Sequence, residues 1–177
     1  MSYFKKIDLN VDTALAKDTS KLAFENSFYK WQKYGLKLLK YKEYTPIANN
    51  QYKITGQSKT KILKCIPQQL LLIEEPEVWV FNGTGSVEGL SMLAPHRDLV
   101  RLCGINIYFE TNNERTIFYD YHNQNLTEVS DFIAKDNDCY ILDVDQPHAV
   151  ELAQGKTRKL ISIAFIKTPY SEVIKYF

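Results

Sequence analysis

The stretch PHRDLVRLCGINIYF, residues 95–109, combines a strand signal with polar residues suited to a functional site. Residues 101–109 are rich in Ile, Tyr, Phe and Cys, and such residues predict a β-strand. His96 and Asp98 come directly before this predicted strand. The stretch therefore indicates both a β-fold and the position of a functional site.

Further short strands, separated by turn signals, lie on both sides of this stretch. The predicted strands are residues 78–81, 116–121, 139–144, 149–152 and 159–166. Asn82-Gly83, Asn112-Asn113 and Gln154-Gly155-Lys156 consist of residues typical of turns. Closely spaced short strands of this kind predict a sandwich or a barrel.

The N-terminal third differs from the rest of the chain. Residues 3–9 alternate loosely between polar and apolar, as an edge strand does. Residues 12–40 lack proline and carry spaced apolar side chains, which predicts one or two helices. Their candidate N-caps and break are Asp18, Thr19, Ser20 and Gly35. We expect a single domain, in which residues 1–77 buttress a β-core formed by residues 78–166.

The last predicted strand carries apolar residues on both faces. Alternation places Arg158, Leu160, Ser162 and Ala164 on one face and Ile161, Ile163 and Phe165 on the other. Such a strand is expected to be covered on both sides. A lone arginine on the inner face would be costly unless it met an anion, so Arg158 is a candidate anion-binding residue.

Length, charge and cysteine content restrict the class of protein. The 177 residues suit one domain, and the net charge of +1 implies no strongly charged polymer as a partner. The three cysteines are far apart and form no CxxC pair, which argues against a disulfide framework and a thiolate zinc site. A reduced, cytoplasmic setting is the expectation. Apolar runs are too short to span a membrane, so no membrane partner is expected.

His96, Asp98 and His148 are candidate metal ligands. Two imidazoles and one carboxylate on one face of an octahedral ion form the facial triad used by iron(II) oxygenases. Three positions then remain open for a bidentate oxo-acid and for dioxygen. Arg158 lies ten residues after His148 and can clamp the far carboxylate of a diacid.

The pattern His96-x-Asp98, then His148, then Arg158, resembles the signature of the iron(II)/2-oxoglutarate-dependent dioxygenase superfamily over residues 78–166. The resemblance implies a mainly β chain with flanking helices, folded as a double-stranded β-helix, or jelly roll. It also implies that His96, Asp98 and His148 bind the catalytic iron(II) and that Arg158 anchors 2-oxoglutarate.

Residues 95–109, together with DVDQPHAVEL, residues 143–152, are similar to the aspartyl/asparaginyl and prolyl hydroxylase branch of that superfamily. The implied enzyme uses O2 to decarboxylate 2-oxoglutarate to succinate and carbon dioxide, and it hydroxylates a C–H bond. The expected substrate is an amino acid or a residue in a peptide. We expect substrate contacts from residues 83–93 and from the N-terminal helices.

Further residues are candidates for the co-substrate pocket. Ser162 shares a strand face with Arg158 and can bind the same carboxylate. Asn106 and Tyr108 share a face of the strand that follows the HxD motif. Arg101 lies on the same predicted strand and is a further candidate for the pocket, although alternation places it on the opposite face unless a bulge intervenes. A salt-bridging role is its alternative interpretation.

Each assignment has a structural alternative. Arg158 can instead be a solvated residue of a basic turn beside Lys156 and Lys159. Lys159 becomes the anchor if the register shifts by one residue. His122 has no partner at ligand spacing and is predicted to be a loop residue.

Other classes of protein fit the sequence less well. A cupin-like isomerase or a non-catalytic small-molecule-binding module on the same architecture is the alternative function. Cupins show HxH where this chain has His96-Arg97-Asp98. The same residues resemble the start of a kinase catalytic loop, but Cys103 stands where that loop has Asn. Residues 83–89 lack a phosphate-loop fingerprint and predict a turn or the lip of an active site.

Residues 29–44 interleave lysines with Tyr and Trp. Basic and aromatic residues together can bind nucleic acid. A solvated helix face is the simpler interpretation, so no nucleic-acid partner is expected.

Overall fold

The structure is a computed structural model that describes residues 2–17, 23–24, 31–33, 45–123 and 125–177. The strands are β1 (Phe4–Ile7), β2 (Ala23–Phe24), β3 (Trp31–Lys33), β4 (Thr45–Pro46), β5 (Ala48–Ile54), β6 (Glu77–Thr84), β7 (Ser91–Asp98), β8 (Cys103–Glu110), β9 (Arg115–His122), β10 (Asn125–Ile133), β11 (Cys139–Leu142), β12 (His148–Leu152) and β13 (Thr157–Phe165). The helices are α1 (Ala14–Lys17), α2 (Gly56–Leu63), α3 (Gln68–Ile73) and α4 (Tyr170–Val173), and a 3-10 turn (Ile174–Tyr176) follows α4. None of these described helices has the length and apolar character needed to cross a membrane.

The strands form two mainly antiparallel sheets that face each other as a jelly roll. The larger sheet has the order β1-β11-β8-β13-β6-β5-β2. The smaller has the order β10-β9-β12-β7-β3, with β4 pairing in parallel with β7. The predicted fold class, mainly β with flanking helices, is therefore confirmed. The predicted edge strand within residues 3–9 is β1, which lies at the edge of the larger sheet beside β11.

Aromatic side chains fill the space between the two sheets. Trp79 and Tyr108 of the larger sheet and Phe118 and Phe132 of the smaller are buried in one cluster. Phe4 of β1 joins them, with its ring centroid 4.7 Å from that of Phe132 and 5.8 Å from that of Phe118. Such ring pairs contribute roughly 0.5–1.5 kcal/mol each beyond the area they bury. Phe4 therefore ties the edge strand β1 to both sheets.

Helices cover the outer face of the larger sheet. Ile161 and Ile163 of β13 pack there in one cluster with Leu70 of α3 and Val173 of α4. Leu160, on the other face of β13, belongs to the cluster between the sheets. This confirms that both faces of the last strand are covered, and it leaves the Arg158 face directed inward.

Of the one or two helices predicted over residues 12–40, the described parts of that range, 12–17, 23–24 and 31–33, contain the single turn α1. Ala23–Phe24 and Trp31–Lys33 are strands that pair with β5 and β7, so the helical prediction is wrong there. Backbone pairing with neighbouring strands outweighs a weak helical spacing. The candidate caps and break, Asp18, Thr19, Ser20 and Gly35, lie outside the described residues, as does most of the segment 29–44.

Asn82-Gly83 is not a turn, because β6 continues through it. Gly83 lies opposite Arg158, and a Cβ at this position would lie 3.0 Å from Arg158 Cγ and 3.2 Å from Ile47 Cγ2. Glycine is needed here for close approach rather than for a turn. The other two predicted turns are confirmed, since Asn113 and Gly155 both have positive φ, 58° and 62°.

A buried carboxylate fastens α3 to the end of β13. Glu74 accepts hydrogen bonds from the backbone N–H groups of Ile166, Lys167 and Thr168 at 2.8–3.2 Å. It also accepts one from the Thr168 hydroxyl at 2.8 Å. The single side chain of Glu74 therefore provides hydrogen-bond acceptors for the backbone N–H groups of the segment that follows the last strand.

Glu74→Ala should lower the free energy of unfolding by about 3 kcal/mol, because three partly or fully buried N–H groups lose their acceptor. Urea unfolding followed by circular dichroism measures this. Glu75→Ala is the matched control, since Glu75 is 73% exposed and pairs only with Lys59 among the contacts seen. Its effect should stay below about 1 kcal/mol. Equal effects of the two variants would contradict the anchoring role.

Candidate metal centre

Three buried side chains converge between the sheets, His96 and Asp98 from β7 and His148 from β12. His96 and Asp98 are two residues apart on one strand, so alternation directs both inward. His148 pairs directly opposite His96. The potential ligand atoms all lie within 4.8 Å of one another, and no side chain of the three is more than 5% exposed. Across the described ranges, no other group of three His, Cys, Asp or Glu residues converges in this way.

A bulge in β7 determines which face His96 occupies. His148 pairs with His96 whereas Val150 pairs with Leu93, so three steps along β7 match two along β12. Leu93 and His96 therefore both line the cavity despite their odd spacing. Pro95 lies within the bulge, where a residue without an N–H group loses no ladder hydrogen bond. The ligand pair is thus part of β7 itself, not a segment before the next strand as predicted.

Both histidines have Nδ1 held by the main chain. Nδ1 of His96 lies 2.7 Å from the carbonyl oxygen of Ala94, and Nδ1 of His148 lies 2.9 Å from that of Gln146. A carbonyl only accepts, so in each neutral ring Nδ1 carries the proton and Nε2 keeps its lone pair for a metal. In both cases the acceptor lies two residues before the histidine, with a proline between them.

Burial controls the protonation of the three groups. It lowers the pKa of His148 to about 3 and also lowers the pKa of His96, so both rings are neutral near pH 7. Burial opposes ionisation of Asp98 too, but the charge of Arg101 and its hydrogen bonds favour the carboxylate, and the pKa of Asp98 stays below its usual value. The cluster therefore presents two neutral nitrogens and one anionic oxygen, a donor set that suits a divalent ion.

Arg101 lines the same cavity and pairs with Asp98, in line with its candidate pocket and salt-bridging roles, and only the strand face that alternation assigned to it is wrong. It precedes β8, which begins at Cys103, and strand alternation does not extend to it. Its Nε donates to Asp98 Oδ2 at 2.7 Å, and its Nη1 donates to Ser162 Oγ at 2.6 Å. The hydroxyl of Ser162 is therefore in contact with Arg101 on the inner face of β13.

Arg158 projects inward from β13 and lines the cavity that holds the three ligands. It is buried, and its Nη1 has no hydrogen-bond partner in the part of the chain that the structure describes. An unpaired buried guanidinium nitrogen is costly, so the position suits an anion. Lys159 does not line this cavity, and its Nζ lies 2.7 Å from Glu110 Oε2.

Asn106 and Tyr108 also line the cavity, on one face of β8. The side chains of Asn106 and Thr116 act to lower the pKa of Tyr108, but the effect of burial is larger. Burial raises the pKa of Tyr108, so its hydroxyl stays protonated and able to donate. Asn106 Oδ1 is buried without a partner among the described residues. Thr116 and Asn49 line the cavity but were not predicted to do so, although alternation along β9 indicates that Thr116 faces inward.

His122 does not take part in the cluster. It is the last residue of β9 and is exposed, rather than a loop residue as predicted. The chain has three histidines in all, so His122 provides an internal control for the two candidate ligands.

The segment that leads to His148 contains a carboxylate that opposes folding at neutral pH. Burial raises the pKa of Asp143 to about 6, and the nearby charge of Asp145 adds to the effect. An aspartate in an unfolded chain titrates near 3.9. The folded state therefore favours the protonated form of Asp143.

No protein-family model and no curated protein matches this chain. Among solved structures, a Pseudomonas putida prolyl-4-hydroxylase is similar over 88% of this chain and 98% of its own, with 11% identity and a TM-score of 0.42. A vicilin from Corylus avellana (hazelnut) is similar over 66% of this chain, with 13% identity and a TM-score of 0.41. This chain spans only 29% of that vicilin's length. At these values neither similarity carries an argument about function.

His148→Ala should weaken Co(II) binding by at least about 100-fold, since loss of a direct ligand exceeds the 10–100-fold effect typical of outer partners. The visible absorption of Co(II) during titration measures the affinity. His122→Ala should bind Co(II) like the unaltered protein. Equal binding by both variants would remove His148 from the metal centre.

Asp143→Asn should remove a loss of stability that the unaltered protein shows as pH rises. The contribution of Asp143 is most favourable below pH 4 and is lost as pH passes through about 6. The variant should therefore match the unaltered protein at pH 4 and be more stable by about 1–2 kcal/mol at pH 7.5. Urea unfolding at both pH values tests this, with Asp8→Asn, an exposed aspartate, as control. A pH-independent difference would contradict the assignment.

Proposed function

We propose that this chain is an iron(II)- and 2-oxoglutarate-dependent oxygenase that hydroxylates a C–H bond of an amino acid or of a residue within a peptide. One observation carries the proposal. Two imidazoles and a carboxylate converge in the same buried cavity as an arginine whose Nη1 has no partner among the described residues. A simple metal site has no need of that arginine, and a simple anion site has no need of three metal ligands.

The donor set fits iron(II). His96 Nε2, His148 Nε2 and one oxygen of Asp98 would hold the ion, and three of its six positions would remain open. With iron(II) bound, 2-oxoglutarate and O2 would yield succinate and carbon dioxide while a substrate C–H becomes C–OH. No thiolate lies among the three ligands, which favours iron over a structural zinc site.

The arginine and its neighbours fit the distal carboxylate of 2-oxoglutarate. Arg158 would bind it through charge-assisted hydrogen bonds, and the Tyr108 hydroxyl, on the adjacent strand β8, would donate a further one. One carboxylate ligand does not neutralise a divalent ion, and Arg158 adds positive charge to the same cavity. The resulting field attracts a dianion.

The rest of the cavity lining is apolar and limits the access of water. Its members are Phe81, Leu93, Leu142, Val144, Val150 and Leu160. Exclusion of water strengthens the electrostatic contacts at the site and protects reactive intermediates from side reactions.

Substrate contacts are proposed to come from residues 83–93 and from the N-terminal third of the chain. The segment between β6 and β7 exposes Val87 and Leu90. Loops of this kind commonly determine specificity on a rigid β-scaffold. Exposed apolar side chains there suit contact with an amino-acid side chain or a peptide.

Succinate release tests the proposal. Purified protein supplied with iron(II), ascorbate, O2 and 2-oxoglutarate should produce succinate, and Asp98→Ala should reduce the rate by more than about 100-fold because it removes a metal ligand. His122→Ala should retain the rate. Iron binding that survives both His96→Ala and Asp98→Ala would refute the ligand assignment. Metal binding with no release of succinate would instead indicate a cupin-like isomerase or a non-catalytic small-molecule-binding module.

Arg158→Met should raise the KM for 2-oxoglutarate by about 10–100-fold, because a buried charge-assisted contact of roughly 1.5–3 kcal/mol is lost. Lys159→Met is the matched control on the adjacent position of β13, and its KM should be unchanged. Steady-state succinate release measures both variants. A larger effect of Lys159→Met than of Arg158→Met would transfer the anchoring role to Lys159.

A further inference from the structure

Arg101 makes an unusual set of contacts for a residue so close to a metal site. Its Nε and Nη2 each lie 2.7 Å from Oδ2 of Asp98. Its Nη1 lies 2.6 Å from the hydroxyl oxygen of Ser162. The guanidinium is buried and lies 5.6 Å from the ring centroid of Phe81. Two of its nitrogens are therefore directed at a single oxygen of the candidate ligand.

The two oxygens of Asp98 are thereby made unequal. Oδ2 accepts from Arg101, whereas Oδ1 faces the imidazoles and lies 3.7 Å from His96 Nε2. A carboxylate whose outer oxygen is held by two N–H donors has one oxygen left for a metal. An unrestrained carboxylate could bind through both.

Whether Asp98 binds through one oxygen or through two determines how many positions on the metal stay open. Two imidazoles and a one-oxygen carboxylate occupy three of six positions, which leaves two for a 2-oxo acid and one for O2. A carboxylate bound through both oxygens would occupy a fourth position. The 2-oxo acid would then take the last two, and O2 would have none.

Arg101 also connects the two sheets. Asp98 lies on β7 of the smaller sheet, and Ser162 lies on β13 of the larger. The guanidinium between them fixes the carboxylate relative to the strand that carries Arg158.

We propose that Arg101 is a positioning residue that restricts Asp98 to one-oxygen coordination and so preserves the open position for O2, and that Ser162 acts through Arg101 rather than on the co-substrate. The proposal rests on the proposed function for the identity of the co-substrate. The contacts of Arg101 with Asp98 and Ser162 do not depend on that identity.

Nitric oxide under anaerobic conditions is the probe, because it binds iron(II) where O2 would and gives an electron paramagnetic resonance signal. The unaltered protein with iron(II) and 2-oxoglutarate should form this adduct. R101M should bind iron(II) more weakly by up to the roughly 10–100-fold typical of outer partners, yet at saturating iron(II) and 2-oxoglutarate it should form at least about tenfold less adduct per bound iron. R101K, which keeps one cationic donor, should recover part of it.

A merely structural role for Arg101 predicts a different outcome. R101M would then lose stability, and the iron-loaded fraction would form the adduct normally. A normal adduct yield per bound iron overturns the proposal. R97M is the control, since Arg97 is the neighbouring arginine, is 40% exposed and lies 3.8 Å from Asp145. Its adduct yield should be unchanged.

S162A decides the question if R101M does not fold. It removes only the hydroxyl that fixes the guanidinium, and the adduct yield should fall about threefold or more. An unchanged yield overturns the proposal.

A Co(II) comparison separates this proposal from the proposed function. If the unaltered protein binds metal but not 2-oxoglutarate, the proposed function fails. The Co(II) absorption spectra without co-substrate still report coordination number. The spectra of S162A and R101M should differ from that of the unaltered protein, and identical spectra would overturn the role of Arg101.

Discussion

The pairing of β7 with β12 is the constraint on which the site depends. It places His148 opposite His96, and a shift of one residue would turn every side chain of β12 to the other face. β12 also pairs with β9 on its other side, where His148 lies opposite Phe118. A strand held along both edges cannot shift without breaking two ladders. The relative position of His96 and His148 in the candidate metal centre is therefore fixed by the smaller sheet itself.

Of the two arginines in the cavity, one has a carboxylate partner at close range and the other has none in the described part of the chain. Asp98 and Arg101 compensate each other at close range, whereas Arg158 has a nitrogen without a partner among the described residues. Glu114 is buried near enough to interact with the charge of Arg158, but burial raises the pKa of Glu114 and weakens it as a counter-charge. Positive potential therefore concentrates at the Arg158 side of the cavity.

Strand alternation and turn signals predicted a sandwich or barrel, because both depend on short-range geometry. The jelly roll followed from the resemblance of the His96-x-Asp98, His148, Arg158 pattern to a known superfamily, as did the joint assignment of His96, Asp98 and His148 to one metal. The sequence-based prediction was wrong where the same residue pattern is compatible with two different structures. An Asn-Gly pair is typical of a turn, yet Gly83 provides space for Arg158 within a strand. The strand β5, ANNQYKI, was not predicted, since Asn49, which lines the cavity, and the buried Gln51 interrupt its apolar pattern with polar residues. The cavity position of Arg101 depends on where β8 begins, which no residue pattern reveals.

The hydrogen bonds from the two imidazoles go to main-chain carbonyls, and a proline precedes each ring. Proline restricts its own φ and the conformation of the residue before it, so the backbone itself aims the acceptor. Side chains around the cavity can therefore be exchanged without changing which ring nitrogen carries the proton. A scaffold of this kind tolerates changes in the rest of the cavity lining, because the orientation of the two candidate ligands is independent of those side chains.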